Sequence, residues 1–135
     1  MTEETGFGHD IAAKRTDDLD KKLLATIAKH PHAKVLDLGC GAGGLSGQLS
    51  EKGAFVTAID VHDFSAKFSD TKINFTQSDI RSLFNIMSGE EFDYCVLQRV
   101  LHYIKYEEAR TLLEYLKSIV KGGLYVSVTG LETDI

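Results

Sequence analysis

Asp37 stands between an apolar run and a turn made mostly of glycine, Gly39-Cys40-Gly41-Ala42-Gly43-Gly44. Glycine lets backbone approach a ligand closely, because no side chain intervenes and left-handed φ angles cost it little. A carboxylate at the end of the preceding strand adds a strong acceptor beside that approach. Asp60 and Asp79 follow later apolar runs in the same way, and Gln98 follows a fourth. Together these residue types suit recognition: an amine, an ammonium or hydroxyls held by carboxylates along one edge.

The elements that carry these residues must end at that shared edge. Thr16-Asp17-Asp18 predicts a helix start, Leu19, Leu23, Leu24 and Ile27 an apolar stripe, and Pro31 a stop. Strands are predicted over 34–38, 54–59, 73–76, 92–97 and 124–129. Helices are predicted over 41–52, 80–87 and 106–120, with 63–69 a loop or short helix. Lys121-Gly122-Gly123 reads as a helix stop with a left-handed glycine cap. Such alternation predicts an α/β, Rossmann-like, doubly wound and mainly parallel sheet of about five strands. Ligands in such sheets bind beyond the carboxyl ends of the strands. One domain is expected over residues 1–135, with 1–15 a flexible lead-in whose Phe7 and His9 are candidates for a lid.

The formal net charge of -5 argues against a nucleic-acid backbone as partner. Cys40 and Cys95 match neither a zinc nor a redox spacing, so no metal is expected. No apolar run reaches membrane-spanning length, and the acidic N-terminus lacks a signal-peptide core. A cytoplasmic location follows by default.

Two ligand classes use a turn of this kind. Gly39-x-Gly41-x-x-Gly44 matches the dinucleotide fingerprint, with Asp60 placed for a ribose hydroxyl. Asp37 counts against that reading, because it would repel a pyrophosphate. S-adenosylmethionine instead brings an ammonium for Asp37, a ribose diol for Asp60 and an adenine amino group for Asp79, with Ile80 packing on the ring. All three acidic positions then have a partner. Each aspartate also has a plainer role as a turn former or cap, Asp79 for the helix starting at Ile80.

Val35 to Gly44 resembles motif I of the class I S-adenosylmethionine-dependent methyltransferases, an apolar pair followed by D-x-G-x-G-x-G. Asp60 resembles their acidic residue ending the second strand, and Gln77-Ser78-Asp79-Ile80 their adenine-contacting segment. Phe92 to Leu97, on through Val100-Leu101-His102-Tyr103, looks like the fourth strand and loop of the small-molecule branch. Lys121-Gly122-Gly123-Leu124 resembles the turn before the fifth strand, so the likeness covers roughly residues 33–130. It implies Asp37, Gly39, Gly41, Asp60, Asp79 and Ile80 as cofactor contacts. With Cys40, Val61 and Gln98 they form the expected cofactor-binding set, S-adenosyl-L-homocysteine being the product.

Methyl transfer from a sulfonium needs mainly in-line positioning, and a base only where the acceptor must lose a proton. His102 is the candidate base; Arg99 and Tyr103 are candidate substrate contacts. His102 packing on the following helix, and Arg99 pairing with a surface carboxylate, are the plainer alternatives. The fourth strand ends in Leu97-Gln98-Arg99-Val100, not in the Asp/Asn-Pro-Pro-aromatic signature of base amino-methylating enzymes. Pro31 is the sole proline, which excludes a Pro-Cys nucleophile, and no paired-glutamate loop is evident. A small-molecule acceptor is therefore expected. The family's sheet normally continues into a C-terminal β-hairpin that is missing from this sequence, so an open edge is expected at the fifth strand, covered by another copy or a further domain. A cofactor-binding module without turnover and a dinucleotide-dependent oxidoreductase are the alternative functions.

Overall fold

The computed structural model describes residues 18–83, 89–98 and 104–127. Its centre is strand β1 (Lys34–Leu38), flanked by β2 (Phe55–Asp60) and β4 (Phe92–Gln98). With β3 (Asn74–Gln77) and β5 (Val120–Ser127) the sheet has the order β3-β2-β1-β4-β5, every pair parallel. The order reverses between β1 and β4, so a crevice is expected beyond the carboxyl end of β1. The register brings Leu38 beside Ile59 and Leu97, and Asp60 beside Gln77, so the strands finish along one edge.

Strand periodicity explains why the sheet is covered on both sides. Val35 faces a core made with Leu23, Ile27, Leu49, Val56 and Phe68. Leu36 and Leu38 face the other core, with Ile59, Leu97, Leu112 and Leu116. The first core is closed by α1 (Asp18–Lys29), α2 (Gly44–Glu51) and the single turn α3 (Ser65–Phe68). The second is closed by α4 (Tyr106–Ile119) and a 3-10 turn at Ile80–Ser82. Thr26 Oγ1 and Tyr125 OH lie 3.1 Å apart and join α1 to β5. The expected doubly wound, five-stranded parallel sheet is present.

Two sequence expectations are corrected. The helix expected from Gly41 begins at Gly44, because Gly41 (φ 57°) and Gly43 (φ 93°) are left-handed and belong to the turn. Gly122 and Gly123 do not cap α4. They lie inside β5, which follows the helix directly at Val120, and neither has a positive φ. Of the helix expected over 80–87, the described part is the 3-10 turn and Leu83.

Gly47, inside α2, has nothing within 4 Å of the place a Cβ would occupy. Gly47→Ala should therefore stabilise the fold by about 0.5–1 kcal/mol, as a higher midpoint of urea unfolding with unchanged slope. A lower midpoint would contradict the open space.

Candidate functional site

The glycine turn is pinned from β2. Gly39 N–H (2.8 Å) and Cys40 N–H (3.2 Å) both donate to the Ile59 carbonyl. Gly41 N–H donates to Asp60 Oδ2 at 2.9 Å. Asp60 Oδ1 accepts from its own loop, from His62 N–H at 2.9 Å. The residue that ends β2 thus shapes the turn that follows β1. The His62 ring nitrogen Nδ1 also lies 3.4 Å from Oδ1, so among the described residues Oδ2, with one donor, keeps an unused lone pair.

Asp37 lies deeper. Its side chain is buried, and Oδ2 accepts from the Ser46 hydroxyl at 2.6 Å. Ser46 is itself fully buried in the first turn of α2. Among the described residues no donor reaches Asp37 Oδ1. Burial pushes the Asp37 carboxyl up to about 7; the Ser46 bond opposes that rise, while Asp20 and Asp60 add to it. A buried carboxyl with these neighbours is set to gain from a cation.

Gly43 closes the turn against α3. A Cβ there would lie 2.8 Å from the Phe68 ring, which stacks on Phe75 of β3 at 5.2 Å. Across the edge, Ser78 N–H donates to the Asp60 carbonyl at 2.9 Å and Gln77 Nε2 to the Val61 carbonyl at 3.1 Å. Val61 is exposed beside them. Asp79 caps the 3-10 turn by accepting from Arg81 N–H at 2.9 Å. The Arg81 guanidinium also bridges both Asp79 oxygens, which holds that carboxyl below its ordinary range. Ile80 is half-buried against the core under α4.

The structure therefore gathers Asp37, Gly39, Cys40, Gly41, Asp60 and Val61 around one turn, with Asp79 and Ile80 further along the same edge. Gln98 ends β4 on that edge, paired with Ser127. Its side chain, and Arg99, His102 and Tyr103, lie outside the described residues, as do Phe7 and His9. Two participants escaped the sequence reading. Ser46 is nine residues from Asp37; the signal was a hydroxyl between Leu45 and Leu49 on the buried face of a helix. Arg81 was signalled by its place two residues after a capping aspartate.

The described part of the candidate site presents hydrogen-bond acceptors and no activated nucleophile. Burial raises the Cys40 and Cys95 thiols, so neither is a nucleophile near neutrality. Among the described residues no cluster of His, Cys, Asp or Glu is placed to hold a metal ion.

Comparison with known proteins decides the family. Residues 35–123, from the start of β1 into β5, match the family described as methyltransferase domain. The chain belongs to that family. A ubiquinone biosynthesis O-methyltransferase of Rickettsia akari is 28% identical to this methyltransferase domain over 134 residues, covering 93% of the chain and 52% of the relative. Magnesium protoporphyrin IX methyltransferase of Synechocystis, solved with bound SAM, superposes with a TM-score of 0.61 at 24% identity, covering 75% of this chain and 52% of that one. The N-methyltransferase NodS of Bradyrhizobium japonicum, solved with S-adenosyl-L-homocysteine, gives 0.59 at 21%, covering 78% and 60%. These likenesses show the Rossmann-like methyltransferase fold. The domain spans about half the length of the Rickettsia relative.

Proposed function

We propose that this methyltransferase domain binds S-adenosylmethionine and transfers its methyl group to a small-molecule acceptor. The observation that carries the reading is the pair Asp37 and Asp60 about the left-handed glycine turn, with no lysine or arginine of the described residues bonded to either. A pyrophosphate would meet two carboxylates there, whereas an ammonium and a ribose diol would meet two acceptors. Asp60 Oδ2 accepts from Gly41 alone among the described residues, and Oδ1 is contacted by an exposed His62 ring that can turn aside, which suits two vicinal hydroxyls. Asp79 is assigned the adenine end with Ile80 and Val61, and is the least available of the three because Arg81 already takes both its oxygens. The sulfonium supplies an activated methyl whose departure leaves a neutral thioether, so the domain has chiefly to hold cofactor and acceptor in line. His102 is assigned as base where the acceptor must lose a proton, and Arg99 and Tyr103 as acceptor contacts.

The small-molecule acceptor is supported by the net charge of -5 and by the name of the ubiquinone relative. A cytoplasmic setting suits the two buried free cysteines. No helix of the described residues is long and apolar enough to cross a membrane.

Calorimetric titration with S-adenosylmethionine, S-adenosylhomocysteine and NADH tests the reading. The first two should bind, and Asp60→Ala should weaken both by roughly tenfold or more. Preference for NADH would move the site to the dinucleotide class. No binding to a chain whose fold is verified by cooperative unfolding would overturn the reading. Binding without methyl transfer to any quinol, amine or carboxylate acceptor would favour the non-catalytic module.

A further inference from the structure

Asp37 and Ser46 come from the end of β1 and the first turn of α2, and meet at 2.6 Å with both side chains buried. Among the described residues the other groups facing Asp37 do not favour its charge: Asp20 from α1, Asp60 from β2, and the thiols of Cys40 in the turn and Cys95 in β4. Ser46 is the sole described donor to the carboxylate, and it occupies Oδ2 alone. The hydroxyl does two things there. It favours the ionised form, because a bond to a carboxylate is stronger than one to a neutral acid. It also restrains rotation of the carboxylate and leaves Oδ1 without a donor among the described residues.

We propose that Ser46 is a positioning residue, favouring the ionised form of Asp37 and orienting it for the cationic amino-acid end of the cofactor. This rests on assigning Asp37 to the ammonium. Ser46 touches no ligand itself. Its effect should therefore be confined to ligands that carry the ammonium, and should fade where Asp37 is ionised without help.

Three chains are compared: wild type, Ser46→Ala, and Ser46→Thr, which keeps the hydroxyl. Carbon-13 NMR titration of the Asp37 carboxyl, without ligand, should give a midpoint about one pH unit higher in Ser46→Ala than in wild type. Ser46→Thr should return it toward wild type. Calorimetry with S-adenosylhomocysteine should show Ser46→Ala weaker by roughly fivefold near pH 7 and close to wild type near pH 9. 5′-Methylthioadenosine, which lacks the ammonium, should bind wild type and Ser46→Ala alike at both pH values. An unmoved midpoint, or an equal loss for the two ligands, overturns the inference while the cofactor assignment stands. Should Ser46→Ala fail to unfold cooperatively, Ser46→Cys replaces it, and the same two outcomes decide. If wild type binds neither ligand, the cofactor assignment falls and the inference with it.

Discussion

Asp37→Asn should make the protein more stable at pH 8 and leave it nearly unchanged at pH 4. The carboxyl titrates near 7 in the fold, against 3.8 as the ordinary value. Between those values the folded state keeps a proton that the unfolded chain has released, so stability falls as pH rises through that window. Each pH unit carries ~1.4 kcal/mol, so the loss above neutrality is about 4 kcal/mol as an upper figure. An amide carries no charge to bury and can still bond the Ser46 hydroxyl, so the variant should escape most of that loss, gaining about 3 kcal/mol at pH 8. Urea unfolding of both chains at pH 4, 6 and 8 measures the difference, in which the titration of more distant groups cancels. A gain that does not grow with pH would sink the account. The same substitution should abolish the attraction for an ammonium, so that S-adenosylmethionine binding drops while stability rises. That opposition is expected where a site stores cost for function.

The parts of this site that could be read from the sequence are those fixed by local chemistry. A glycine turn after an apolar strand shows itself because few other residues accept the left-handed φ of 73° at Gly39. Asp60 was legible because strand and turn spacing placed it at the same edge. What Asp60 does for the turn was not, since the bond from Gly41 N–H spans nineteen residues and depends on the β1–β2 register. Ser46 stayed hidden for a similar reason. A serine in the first turn of a helix reads as an ordinary polar position until the packing shows which carboxylate it faces. Asp79 met its plainer role as a cap, and Arg81, two residues on, is the partner that a helix-period reading passed over.

The glycines at 122 and 123 were misread because a glycine pair after an amphipathic helix has two explanations, a left-handed cap or a close approach, and only the tertiary setting distinguishes them. Here the cause is approach. Phe92 pairs with Val120, but Tyr94 pairs with Gly123, so Asp93 faces two residues of β5, Lys121 and Gly122, across a bulge. A Cβ on Gly122 would stand 2.5 Å from the Asp93 carbonyl oxygen and 2.7 Å from the Tyr94 ring. The ring can turn, but the carbonyl belongs to the backbone of β4 and cannot yield alone. Asp93 is also tied to the centre of the sheet, because its Oδ2 accepts from Lys34 N–H at 2.8 Å. A shift of β4 there would therefore disturb the start of β1. Gly122→Ala should cost about 3 kcal/mol, at the upper end for overpacking, because backbone and not a rotamer must give. Urea unfolding should show the loss as a lower midpoint, opposite in sign to Gly47→Ala. The bulge lies at the end of the sheet away from Asp37 and Asp60, so the surviving folded fraction should bind S-adenosylmethionine with near wild-type affinity. A Gly122→Ala chain of unchanged stability would mean that β5 can slide past Asp93. The bulge would then be a soft feature of the edge, not a fixed point of the sheet.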